Sequence, residues 1–118
     1  MKRTYCVLAP EQEMLVAAII DEIAAEYRLT RDFLLGCSKR RDIVEARFVA
    51  MAAIRDQLRL SYPDVGAIFN KDHGSVMHGC RQVVNYLSVD RSFKARWPKI
   101  LKRIAAAHAR VAGEREVA

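Results

Sequence analysis

An all-α fold of five to six helices, built around a helix-turn-helix, is what this 118-residue sequence predicts. Three observations carry the prediction. Every stretch with a clear apolar period repeats at three and four residues, the spacing of one helix face. No stretch alternates apolar and polar residues for long enough to make a strand. A short amphipathic segment, Pro63-Asp64-Val65-Gly66-Ala67-Ile68-Phe69, is followed across a four-residue turn by residues 71–82, which open a new helix. The length suits one domain with a single core. With 52% apolar residues and little glycine, the chain should fold rather than stay disordered.

The elements follow in order. Met14, Leu15, Ala18, Ile19 and Ile23 recur at helical spacing behind Pro10 and mark the first helix. A short second helix over 30–36 takes Thr30 as its N-cap, turns Phe33 and Leu34 inward and stops at Gly36. The third, over 42–59, carries Val44, Phe48, Val49, Met51, Ala52 and Ile54 around most of its circumference, so it should be the central, most buried helix. Pro63 starts the short fourth helix, 64–69. The fifth, 74–87, has an inward stripe of Val76, Cys80, Val83, Val84 and Leu87. The last, 92–109, is capped by Ser92 and buries Phe93, Trp97, Ile100, Leu101 and Ile104, with a kink or late start at Pro98. The domain spans 1–118, with a core at about 14–106 and a flexible tail after about 110.

Charge narrows the function classes. The formal charge is +6, and it is unevenly distributed. Residues 10–27 hold five acids and no Lys or Arg, while residues 70–103 hold eight Lys and Arg against two Asp. Such separation predicts a one-sided basic surface, the footprint of a nucleic-acid binder. No apolar run approaches the roughly 18–20 residues needed to cross a membrane. The N-terminus starts basic but soon meets acid, a poor signal peptide, so the expected address is the cytoplasm. Cys6, Cys37 and Cys80 form no CxxC pair and read as free thiols. His73 and His78 stand five apart, a poor spacing for paired helical metal ligands, so no metal or cofactor is expected. Nothing resembles a GxxxxGK[ST] nucleotide loop. Asp72, His73 and Ser75 are too close in sequence to form a catalytic triad, and Asp21-Glu22 reads as an outward acidic pair.

The fifth helix has a second stripe, Ser75, His78, Gln82 and Asn85, on another face. A plain solvated face is usually rich in Lys and Glu, whereas this one offers uncharged hydrogen-bonding groups from the helix N-terminus onward. That is the set needed to read base edges in a major groove. Gly79 beside it would let a backbone or a thymine methyl approach closely. Asp72 and His73 suit either a cap or a base contact. Lys39, Arg40 and Arg41, in a loop before the central helix, and Arg47 one turn further are candidates for minor-groove or phosphate contact.

These residues resemble the C-terminal DNA-binding domain of the bacterial replication initiator family, DnaA. The family string Gly-Gly-Arg-Asp-His-Thr-Thr-Val-x-His-Ala-x-Arg appears here as Asn70-Lys71-Asp72-His73-Gly74-Ser75-Val76-Met77-His78-Gly79-Cys80-Arg81. Ser-x-Pro-Glu-Ile-Gly-x-x-Phe appears as Ser61-Tyr62-Pro63-Asp64-Val65-Gly66-Ala67-Ile68-Phe69, and the family's basic loop and following helix match Ser38-Lys39-Arg40-Arg41 through Ala46-Arg47. The resemblance covers about residues 14–104. It implies a Trp-repressor-like fold that recognises short duplex boxes. It places Asp72, His73 and Ser75 in the major groove, His78 near the DNA, Lys39, Arg40 and Arg41 at the minor groove, and Arg47 and Pro63 near phosphate; Gln82, from the polar stripe, and Lys71 and Gly74 are further candidate DNA-binding residues. Gly74 replaces a Thr that would touch a thymine methyl, Phe48 stands where the family often has Gln, and Asn70-Lys71 is one residue shorter than the family turn. The initiator's ATPase module is not in this sequence, so initiation by that mechanism is not expected of it alone.

The expectation is a non-enzymatic, sequence-specific binder of double-stranded DNA, cytoplasmic and nucleoid-associated, that regulates or modulates initiator-box-like sites without nucleotide or membrane. Two rivals share the fold. One is a protein-interaction module docking a basic partner on the acidic first helix, and the other is an accessory DNA-binding chain of a phage or mobile-element enzyme.

Overall fold

The computed structural model describes residues 8–117, with side chains through Gly113. The basic N-terminus and Cys6 lie outside the described residues. Those described form six helices and no strand: α1 (Pro10–Glu26), α2 (Arg31–Leu35), α3 (Arg41–Leu58), α4 (Tyr62–Phe69), α5 (His73–Val89) and α6 (Arg91–Val117).

The sequence explains where these helices begin and end. Pro10 opens α1, where its missing N–H is no loss, and Gln12 accepts from the Ala9 amide at 2.8 Å. Ser61 caps α4 by accepting from Asp64 N, and Asp72 caps α5 by accepting from Ser75 N at 2.8 Å. α3 and α4 both end on a left-handed residue, Arg59 (φ 58°) and Asn70 (φ 56°). α6 is capped by Asp90 rather than Ser92: its carboxylate accepts from Phe93 N at 3.0 Å, while its own amide closes α5 on Tyr86 O at 2.8 Å. One residue therefore ends α5 and begins α6.

α3 is the central helix as its apolar circumference predicted, packing on α1, α2, α4 and α5. Ile19, Ile23, Leu34, Ile43, Val49, Met51, Ile54, Val65, Phe69, Val76, Phe93 and Ile100 are fully buried around it. Tyr27, at the end of α1, donates its hydroxyl to Glu45 at 2.6 Å and lies under the Arg96 guanidinium, joining α1, α3 and α6. Burial and the Glu45 carboxylate push the Tyr27 phenol well above its ordinary value, so it stays a donor at any working pH.

Several expected faces are turned differently. Phe33, Leu101 and Val84, all expected inward, are exposed, Val84 by 64%. α6 runs past the expected end near 109, with Ala107 and Val111 buried. It also starts at Arg91 and runs through Pro98 without the late start expected there. Pro98 is exposed, so water can reach the Lys94 carbonyl that it leaves without a helical partner. Pro98→Ala should therefore raise stability by about 1 kcal/mol or more, seen as a higher urea midpoint at unchanged slope.

Some charges separated along the chain meet in space, so the acids of α1 are in part paired by α6. α6 lies along α1, and Arg103 binds both Glu22 and Glu26 at 3.2 Å while Arg110 binds Glu22 at 3.1 Å. Arg31 of α2 clasps Asp21 through two hydrogen bonds of 2.9 and 2.7 Å, which hold that carboxyl below the usual range. Asp21 and Glu22 are thus half-buried and paired rather than an outward acidic pair. Part of the basic charge of α6 is spent on α1.

Candidate nucleic-acid interface

The two helices of the motif are α4 and α5, joined by Asn70, Lys71 and Asp72. This turn is one residue shorter than expected, because His73 already belongs to α5. Asn70 adopts the left-handed conformation that an Asn tolerates, and the Lys71 amide donates back to Gly66 O at 2.8 Å. That return is tight. A Cβ on Gly66 would stand 2.3 Å from the Lys71 carbonyl oxygen, so only glycine fits. Val65 and Phe69 then anchor α4 in the core and fix the direction in which α5 departs.

α5 presents its amide end to solvent. Asp72, His73, Gly74 and Ser75 are exposed, and so is His78 one turn on. The amide end of a helix carries partial positive charge, which suits phosphate and carbonyl oxygens. Between this end, α3 and the loop before α3 lies a cleft of about 500 Å³. Lys39 with Cys37 and Ser38 forms one wall, Lys71, Asp72, Gly74, Ser75 and His78 form the other, and Val44, Arg47, Phe48 and Met51 form the floor.

The structure therefore brings together Lys39, Arg47, Lys71, Asp72, Gly74, Ser75 and His78 of the expected residues. Arg40, Arg41, Pro63 and His73 are exposed but do not line the cleft, and Gln82 is half-buried further along α5. Arg41 is the first residue of α3 rather than a loop residue. Arg40, just before it, grips Asp42 with two bonds of 2.7 and 2.8 Å, and this contact pushes the Asp42 carboxyl down to about 2.

Arg47 is buried, only 5% exposed. Its Nε donates to Leu34 O at 2.9 Å, and its terminal nitrogens donate to Ser38 O at 3.0 Å and Phe33 O at 3.2 Å. Burial holds this guanidinium below its ordinary value. The side chain ties α2 and the basic loop to the central helix. No periodicity signals such a role, since a charged residue on an apolar helix reads as an exposed one.

Gly79 also differs from its reading. It is buried, and the space above its Cα is filled by Phe48, whose Cδ1 would lie 2.7 Å from a Cβ placed there. No room remains for a thymine methyl. The same Phe48 ring stands at 88° to His78 with centroids 5.6 Å apart. Cys37 and Cys80 are free thiols, and among the described residues no group of three His, Cys, Asp or Glu could hold a metal ion. No described helix is long and apolar enough to cross a membrane.

Comparison with known proteins fits this geometry. The model of the bacterial DnaA protein helix-turn-helix matches residues 16–83, which takes in α1 through most of α5. The chain is 34% identical over 94 residues to the chromosomal replication initiator protein DnaA of Synechococcus sp. (strain JA-2-3B'a(2-13)), a match covering 79% of this chain and 20% of that protein. It is 31% identical over 99 residues to the same-named protein of Deinococcus radiodurans, covering 83% of this chain and 21% of the relative. The chain thus spans about a fifth of the length of these relatives. By the match over more than half its length, and with the tight turn at Gly66 and the exposed α5 terminus in place, the chain belongs to the bacterial DnaA helix-turn-helix family.

Proposed function

We propose that this protein binds double-stranded DNA in a sequence-specific manner and regulates or modulates initiator-box-like sites. One observation carries the reading: the cleft faces Lys39 on one wall towards Lys71 and the exposed hydrogen-bonding groups at the amide end of α5 on the other. Cations on both flanks suit two phosphate backbones, and Ser75, His78 and the neighbouring Asp72 and His73 suit base edges. Arg40 and Arg41, exposed and next to Lys39 in the chain, would add phosphate contacts, and Pro63 and Gln82, outside the cleft lining, would meet the DNA only beyond it. Arg47 acts through the loop it holds rather than on phosphate. The site supplies donors, acceptors and fixed charge, which is recognition chemistry, and needs neither nucleotide nor metal for it. The relatives are named as replication initiators; the corresponding role here is at the DNA sites such proteins use, in the cytoplasm on the nucleoid.

The rival reading, a basic partner docked on an acidic first helix, loses its main support. Asp21, Glu22 and Glu26 already hold Arg31, Arg103 and Arg110. Selection from random duplexes at physiological salt, followed by titration of the winner against scrambled DNA, tests the proposal. A preference of about 10³ or more is expected. A ratio near unity would remove sequence reading from the account.

Asp42 offers a second test. Its carboxyl, held near 2 by Arg40, stays ionised at every working pH. A lowered folded value means that the pair is complete above the ordinary carboxylate range and is lost only as pH falls towards 2, so the pair is constant between pH 5 and 8. Asp42→Asn releases Arg40 and removes a negative charge beside the cleft. Duplex affinity should rise for all sequences alike, and the slope of log K against log salt should steepen by about 0.9, the value for one added phosphate contact. Titrations at four salt concentrations measure both.

A further inference from the structure

We propose that Phe48 is a positioning residue for sequence reading, which holds the His78 imidazole in the orientation that meets a base edge. The inference rests on the DNA-binding reading above and goes beyond it by naming what aims the side chain. His78 is exposed on the cleft wall, and among the described residues no hydrogen bond fixes its ring. A free imidazole samples several rotamers, and each contact it makes to a base must offset that lost freedom. Phe48 limits the choice. Its ring lies on the cleft floor at 88° to the imidazole, 5.6 Å between centroids, the edge-to-face geometry that aromatic pairs favour.

Phe48 can reach that position because residue 79 is glycine. α3 and α5 pack closely here, and the ring rests against the bare Cα, where any Cβ would come within 2.7 Å of Cδ1 and 3.3 Å of Cγ and Cε1. Gly79, Phe48 and His78 thus form a stack: the missing methyl seats the ring, and the ring orients the imidazole. Phe48 itself offers the DNA no hydrogen bond, so its effect on discrimination must pass through His78.

The test combines binding with NMR on the intact chain. Phe48→Leu keeps the floor apolar but removes the ring. It should move the His78 ring-proton shifts in the free protein while leaving those of His73 and His108 in place. It should also lower the preference for the selected duplex over scrambled DNA by about threefold to tenfold, the range of an aromatic pair, with scrambled affinity unchanged. Phe48→Tyr, which keeps the ring, should retain both the shifts and the preference. Gly79→Ala, which drives a methyl into the ring, should lose both. Because Gly79→Ala strains the packing, Gly79→Ala combined with Phe48→Leu serves as its control, recovering folding but not preference. In a His78→Ala background Phe48→Leu should have no further effect on preference. Retained shifts and preference in Phe48→Leu, or an equal loss in the His78→Ala background, would overturn the inference and leave the DNA-binding reading intact. No preference in the unaltered protein would overturn both.

Discussion

Gly66→Ala should destabilise the protein by about 3 kcal/mol and abolish specific DNA binding. The added carbon would stand 2.3 Å from the Lys71 carbonyl oxygen and 3.3 Å from its carbonyl carbon. Both are backbone atoms, so no side-chain rotation relieves the contact. Relief requires the turn to open, which breaks the Lys71 N to Gly66 O bond and swings the start of α5 away from α4. Val65 and Phe69, fully buried on either side, resist any compensating slide of α4. Urea unfolding should show a lower midpoint with unchanged slope. If the chain folds with unaltered stability, the turn is softer than this geometry requires. Gly74→Ala is the matched control. Its Cβ meets only the Asp72 carboxylate, at 3.7 Å, so the same chemical change eight residues on should leave stability equal or slightly higher.

Arg47→Met should cost about 3 kcal/mol by a different route. The methionine fills much of the same volume but leaves the carbonyls of Leu34, Ser38 and Phe33 without their donor. A buried acceptor stripped of its partner costs roughly 1–3 kcal/mol, and the Leu34 carbonyl is the most buried of the three. Arg47→Lys should recover less than half of the loss, because one ammonium cannot match the guanidinium fork that spans three carbonyls. The loss should also be local in part. Hydrogen exchange in residues 36–40 should accelerate more than in α1 or α6, as the loop carrying Lys39 comes away from α3. Duplex affinity should fall with it. A global loss without local loosening would place Arg47 in the core alone, with no share in holding the loop.

The helix order and the helix-turn-helix were legible because each rests on local chemistry: apolar spacing, Pro63 and the Asp72 cap. What escaped depends on how faces turn toward one another. At about 100° per residue, Val84 stands roughly 80° to one side of Val76, and Gly79 roughly 60° to the other. α5 is rotated so that Gly79 faces α3, which buries the Gly79 side, half-buries Gln82 and leaves Val84 exposed. A stripe drawn from apolar residues alone counts Val84 and ignores a glycine. Arg47 escaped for a related reason, since its partners are main-chain carbonyls that any sequence possesses. The pairing of α1 acids with α6 arginines spans nearly the whole chain, so a tally of charge along the sequence mistakes neutralised groups for free ones. Of the candidate site, the polar end of α5 and Lys39 were read from residue type. The Phe48 ring standing edge-on to His78 was visible only in three dimensions.

Asp90, shared as the end of one helix and the beginning of the next, leaves no slack between α5 and α6. The α6 rod, about 40 Å long at 1.5 Å per residue, would sweep roughly 7 Å at its tip for a 10° pivot at that elbow. Yet it is stapled along α1 by Arg103 and Arg110. The far end of α5 is therefore steadied through Asp90 by the α1–α6 seam, as its start is steadied by the turn at Gly66.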